Sequence, residues 1–350
     1  PGVHSLTAVA TDDDGEQTTS APVNVRVTGG VADEFDTLRA RWFDILTGGN
    51  AHNLNDPLIA ARVTGINGTA QSAWNSMDKS PTRTTLWTDL SNPTNGLHIS
   101  ASFARLSDMA LAYVTTGCAL QGNSAMLADL LSALDWLNAN RYNDATFSSS
   151  SEWFAMEVLT PQHINNVCVL LYDALTPGQL VRHMSAVEHF CPDPAVQVKG
   201  SIPAEGSNRA DKCHVAAVRG ILLKEAAKLV LARDLLGAVF APVTSGNGFY
   251  ADGSFVFHGG LAVAATYGVE LLVAANRMLE LTDNSTWAAM AGDLAGGKYS
   301  VNALPFPGLL CTPTDPWWVR MMPCTTASPR PVPWPTGLVV KNGSNIRSMV

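Results

Sequence analysis

No Cys-x-x-Cys pair occurs in the sequence, so a zinc or thioredoxin-like site has no support. Six cysteines in 350 residues are also too few for a disulfide-built scaffold. Cys118 and Cys168 lie in apolar helical patterns and are expected to be buried free thiols. No run approaches the ~18 consecutive apolar residues of a membrane span, so no membrane partner is expected. Positive charge is scarce: 22 Lys and Arg against 30 Asp and Glu leave a net charge of −8, which argues against a nucleic-acid binder. Charged residues are only 15% and hydrophobic residues 46%, so a sizeable core can form and general disorder is excluded. The chain starts at Pro1, and no signal peptide is recognisable; the expectation is a fragment or a processed product.

Three textures follow along the chain. Residues 1–30 carry two β-rich runs, Leu6–Ala10 and Val23–Val27, around an acidic turn with Asp14-Gly15; Gly29-Gly30 reads as a linker. Such a pair of runs cannot build a core alone. It resembles the last strands of an Ig-like or PKD-type sandwich module. Residues 31–295 are helical in pattern. Phe35, Leu38, Trp42, Phe43 and Ile45-Leu46 recur at helical spacing, and Gly48-Gly49 stops that helix. Further helices are predicted near 57–75, 98–117, 123–140, 152–174, 176–190, 209–239 and 260–281. Short connections favour antiparallel helix pairs. Residues 296–350 hold nine of the 20 prolines, between Pro305 and Pro335, and show no period. An irregular tail is expected, or sequence foreign to the fold such as the product of a shifted reading frame.

Three segments could carry chemistry. In the first, residues 205–236, Ser207 or Asn208 is expected to cap a long helix. That helix bears Arg209, Lys212, Arg219, Lys224, Lys228 and Arg233, read as a solvated charged face or as a guide for an anionic ligand. In the second, residues 248–268, Asp252-Gly253 signals a tight turn with Phe249 and Phe255 in the core. His258 precedes Gly259-Gly260, and Tyr267 follows nine residues after His258. On one continuous helix these two would face apart, so they can share a site only if the segment near the glycines is not helical. In the third, residues 149–161, Trp153 and Phe154 either pack in the core or form a platform for sugar rings.

Together these segments resemble polysaccharide lyase family 8, the hyaluronate, chondroitin and xanthan lyases. The carriers are "DEFDTLRARWFDILTGG" at 33–49, "GSNRADKC" at 206–213 and "GFYADGSFVFHGGLAVAATYG" at 248–268. The likeness covers about residues 32–290. It departs at Glu152, Phe154, Val158 and Leu159 in the aromatic block, and at Val263 and Ala265 between His258 and Tyr267. After Met321-Met322 come Pro323, Cys324, Thr325 and Thr326, and no arginine of the family's assisting block can be carried over.

The resemblance implies a mainly α fold: an incomplete (α/α) toroid of antiparallel helix pairs after a short N-terminal β segment. It implies an extracellular carbon-oxygen lyase that cleaves a uronate-containing glycan by β-elimination. No cofactor and no metal are expected. The partner is an acidic polysaccharide, with no nucleic acid, and a monomer is expected. Asn208 would neutralise the uronate carboxylate, as preorganised donors do in oxyanion holes. His258 or Tyr267 would take the proton, and Tyr267 would protonate the leaving oxygen. Trp153, Phe154 and Arg209 would hold the chain. Two other readings stay open: a glycan-binding remnant without turnover, and a glycoside hydrolase with Glu157 and Asp252 as its carboxylate pair.

Overall fold

The computed structural model describes residues 2–6, 9–20, 23–27, 32–49, 51–146, 148–262, 266–288, 339–342 and 345–348. Two compact units divide it, Pro1–Thr37 and Leu38–Val350, with the division inside the first helix. The first unit holds two nested antiparallel pairs. Strand β1 (Gly2–Leu6) pairs with β4 (Val23–Val27), and β2 (Val9–Thr11) pairs with β3 (Gln17–Thr19). The acidic turn closes the inner pair. Gly15 takes φ +84°, and the Asp12 carboxylate accepts from the amides of Asp14 and Glu16. The expected run Leu6–Ala10 is therefore split between β1 and β2.

The second unit is an incomplete α/α toroid. Its helices are α1 (Glu34–Thr47, which crosses the division), α2 (Pro57–Ser76), α3 (Gly96–Val114), α4 (Ser124–Asn140), α5 (Thr160–Leu170), α6 (Pro177–Phe190), α7 (Gly206–Leu223), α8 (Ala226–Gly237) and α9 (Tyr267–Thr282). Short polar side chains start several of them. Asp56 caps α2 ahead of Pro57, Asn95 caps α3, Asn123 caps α4, and Thr176 with Gln179 forms a reciprocal capping box on α6.

Helices α3, α5, α7 and α9 pack in succession as an inner row, while α4, α6 and α8 lie outside it as return helices. Because each inner helix is followed by an outer one, successive inner helices begin at the same end. The inner row is buried almost all round, as α7 shows: residues 212–222 are all buried. Leu106, Met109, Leu130, Met184, Val215 and Leu271 form part of the core, at about 25 cal/mol for each Å² of apolar surface removed from water.

Several sequence boundaries change. The predicted helix over 209–239 is two helices, because Lys224 turns the chain in the left-handed region at φ +59°. Gly220 permits that reversal: a Cβ there would stand 2.8 Å from Leu229 and 2.9 Å from Lys228. The predicted 152–174 helix opens with a π-helical turn over Ala155–Leu159 before α5. The predicted 260–281 helix begins only at Tyr267. Cys118, Cys168, Cys191 and Cys213 are buried free thiols, although Cys118 lies in the turn after α3 rather than on a helix. Most of the proline-rich segment, with Met321, Met322, Cys311 and Cys324, lies outside the described residues, as do Val263 and Ala265. Near its end, where no period was expected, β10 (Val339–Asn342) pairs with β11 (Asn345–Ser348), beyond the last proline.

Candidate active site

Asn208 sits in the first turn of α7. The helix starts at Gly206 with Glu205 as its cap residue, and no side chain closes that end. The expected capping role of Ser207 or Asn208 is thus overturned: both lie inside the first turn of the helix, past its cap residue Glu205. The Asn208 amide makes no hydrogen bond among the described residues. An uncapped helix start carries partial positive charge, so an open amide group and the macrodipole coincide here.

The segment 248–262 is a small antiparallel sheet. Strands β7 (Gly248–Phe249), β8 (Phe255–Phe257) and β9 (Leu261–Ala262) follow one another, with Phe249 opposite Phe255 and Phe257 opposite Leu261. Phe255 is buried, and the Phe249 and Phe255 rings lie 4.8 Å apart. The turn between β8 and β9 is His258-Gly259-Gly260, all at positive φ, with His258 at +50°. A non-glycine residue held in the left-handed region is uncommon and stores strain at this position.

This turn brings together two residues that a continuous helix would separate. The rings of His258 and Tyr267 meet edge to face at 4.5 Å, with Phe257 at 5.4 Å from Tyr267. Tyr267 is the first residue of α9 and is 40% exposed. The polar atoms of His258 and Tyr267 have no hydrogen-bond partner among the described residues.

Two contacts fasten this sheet to the start of α7. Asn247 donates to the Glu205 carboxylate at 2.6 Å and accepts from the Gly259 amide at 3.2 Å. Gly206, at φ +51°, faces the Phe257 ring, which a Cβ would meet at 2.8 Å. No signal along the chain marks Asn247, because its role depends on two residues remote from it in sequence.

Trp153 and Phe154 precede the π-helical turn. Their rings cross at 5.5 Å, Trp153 is half-buried and Phe154 is 40% exposed. They do not pack into the core. The segment before them is held by Glu152, which accepts from the Gly96 amide at 2.7 Å at the start of α3. Arg209 is half-buried, and its Nε donates to the Ala204 carbonyl at 2.7 Å.

The charged face expected on α7 and α8 is largely not solvated. Lys212 is only 1% exposed and donates to Glu157 at 2.8 Å. Arg219 is buried beside Glu225 and Glu188, and Lys228 meets Glu188 at 2.6 Å. The physical reason is the inner position of α7: a covered helix keeps ionised groups only where they are paired. Glu157 is thereby committed to Lys212 and to the Lys199 amide, and Asp252 to the Ser254 amide and hydroxyl in an exposed turn. Neither is arranged as half of a hydrolytic pair.

One layer deeper, Asp211 on α7 accepts from Gln162 on α5 at 3.0 Å and lies 3.8 Å from Arg277 on α9. Burial pushes its carboxyl up to about 6, with Glu270 adding to the rise and Arg277 and Gln162 opposing it. Among the described residues no group of His, Cys, Asp and Glu could hold a metal ion. None of the helices there is long and apolar enough to cross a membrane.

Fold and site define a helical toroid with an amide, an imidazole and a phenol gathered at one end of its inner row. Residues 42–295 match "Polysaccharide lyase family 8, N terminal alpha-helical domain", and the chain belongs to that family. It is 38% identical over 259 residues to a xanthan lyase of Bacillus sp. (strain GL1), covering 73% of this chain and 27% of that protein. It is 34% identical over 260 residues to a hyaluronate lyase of Thermasporomyces composti, covering 74% and 32%. Among solved structures it is similar to the Streptomyces coelicolor chondroitin AC lyase in complex with chondroitin sulphate. The TM-score is 0.65 at 35% identity, over 73% of this chain and 34% of that one. The chain thus spans about a quarter to a third of the length of these relatives.

Proposed function

We propose that this chain is the helical part of a lyase that cleaves uronate-containing glycans of the hyaluronan, chondroitin or xanthan type by β-elimination. The observation that carries the reading is the meeting of His258, in the turn of a sheet tied to the open start of α7, with Tyr267 at the start of α9, at 4.5 Å. In the reaction, the Asn208 amide and the α7 amides bind the uronate carboxylate and stabilise charge as it develops there. His258 or Tyr267 takes the proton from the carbon next to the carboxylate. The released electron pair forms a carbon–carbon double bond, and the bond to the leaving sugar oxygen breaks. Tyr267 hands that oxygen a proton. No water is added at the bond. Trp153 and Phe154 stack against sugar rings, and Arg209 offsets repulsion between an acidic chain and a polyanion.

Such polymers are too large to enter a cell intact, which supports action outside it. The N-terminal strand pairs are read as the end of an Ig-like or PKD-type module. The test is incubation of the purified protein with hyaluronan, chondroitin and xanthan, following ultraviolet absorbance of unsaturated uronide ends. Absorbance on at least one glycan is expected. None on any of them refutes the reading, and products lacking the double bond replace it with hydrolysis.

A further inference from the structure

The Glu157–Lys212 ion pair, at 2.8 Å, is covered on both sides: the two residues are 3% and 1% exposed. A buried pair adds little stability over apolar residues of the same volume. What it adds is direction, because it fixes one distance between two segments. Here the segments are the π-helical turn Ala155–Leu159 and α7. Each carries a candidate site residue about one turn away: Asn208 stands four residues before Lys212, and Trp153 four before Glu157.

Three further observations converge on this pair. The π turn follows Trp153 and Phe154 in one helical run, and its extra residue rotates them by about 100° against a continuous α-helix. The turn therefore decides where the aromatic pair points, and the buried Tyr142 hydroxyl holds it by donating to the Met156 carbonyl at 2.7 Å. Next, the other Glu157 oxygen accepts from the Lys199 amide at 2.7 Å. Lys199 lies in the turn between β5 (Val196–Gln197) and β6 (Ile202–Pro203), where Val198 and Lys199 take φ +54° and +55°. A β-branched residue in the left-handed region is strained, and it persists only where its surroundings hold it. Last, the Lys199 ammonium donates to the Ser148 carbonyl, just ahead of the aromatic segment. One carboxylate thus joins the aromatic segment, the α6–α7 connection and α7.

We propose that Glu157 and Lys212 are positioning residues: their ion pair, with the turn it holds, sets the placement of Trp153 and Phe154 relative to Asn208. The proposal takes from the lyase reading only that these three residues contact the glycan. Sugar rings held by the aromatic pair then meet the amide in register, and a misplacement of about 1 Å is enough to cost about 10²-fold in rate.

The double variant Lys212→Met with Glu157→Leu separates placement from stability. Its kcat on a glycan that the wild type cleaves is expected to fall at least about tenfold, with KM within about threefold of the wild-type value. Leu134→Ala, a core truncation on α4, controls for lost stability and is expected to keep its kcat. A second readout needs no turnover. In fluorotryptophan-labelled protein, fluorine magnetic resonance identifies Trp153 among the nine tryptophans by the signal lost in Trp153→Phe. That signal is expected to shift or split in the double variant and to stay in place in Leu134→Ala. Tyr142→Phe, which takes one hydroxyl from the π turn, is expected to move it too, a result that stands if the double variant does not fold. An unmoved Trp153 signal, a wild-type kcat in the double variant, or an equal fall in Leu134→Ala overturns the proposal. A wild-type chain that cleaves no glycan refutes the lyase reading instead, and the Trp153 signal alone then decides the positioning.

Discussion

Tyr267 and His258 are exposed and Asn208 is half-buried, and all three keep polar side-chain atoms unspent among the described residues, which makes their variants informative. Tyr267→Phe removes one hydroxyl that no described residue uses. The expected result is a loss of about 10²–10⁴ in kcat, within the range of general acid–base catalysis, and an unchanged thermal midpoint. Calorimetry beside the absorbance assay checks both. Lys212 is the opposite case. Lys212→Met strands the buried Glu157 carboxylate and is expected to cost about 3–5 kcal/mol, read from urea unfolding. The double variant Lys212→Met with Glu157→Leu is expected to recover most of that loss, since it leaves no buried charge unpaired and costs only the partner of the Lys199 amide.

At the scale of elements, the short sheet β7–β9 acts as a bracket on α7. Gly206 is where the two touch, through its positive φ and the Phe257 ring. Gly206→Ala demands both a strained backbone and a displaced ring, at about 1–3 kcal/mol for the strain alone. Because the displaced ring adjoins His258 and Tyr267, kcat is expected to fall more than KM rises. An unchanged kcat would show that the bracket does not position the pair. The Gly259-Gly260 signal was legible along the chain, as was the need for a break before Tyr267. The end of that break was not, because β9 exists only through pairing with β8. The Asn208 cap reading failed for a related reason: cap preference is local, whereas Asn247 and Phe257 fix where α7 begins.

Across the whole molecule, buried titratable groups set the response to pH. Burial holds His163 and His183 down at about 4, and burial with Arg277 nearby holds His214 at about 3. Their folded values lie below the ordinary 6.5, so their contribution is present above pH 6.5 and is lost as pH falls toward 4. Asp108 and Asp211 act the other way. Burial raises both to about 6, against Arg62 for Asp108, so their contribution is complete below about 3.8 and is lost as pH rises through 6. Three histidines outweigh two carboxyls, because each tenfold change in proton affinity is worth about 1.4 kcal/mol and neither carboxyl is displaced further than a histidine. The thermal midpoint is expected to fall on acidification from about pH 6.5 to about pH 4. Asp211→Asn removes an opposing contribution, so the midpoint of that variant is expected to climb more steeply with pH over the same range. A parallel or shallower profile would place the titration elsewhere. The helical class, the paired-helix plan and the three chemistry-bearing segments were determined by the sequence itself, because period, capping residues and glycine positions act within a few residues. Only the tertiary structure decided that Lys212 is buried, that Asp211 links Gln162 to Arg277, and that His258 meets Tyr267. The first two are contacts between helices far apart in the chain, and the third needs β9 to pair with β8; their energies depend on what covers a group rather than on which residues stand beside it.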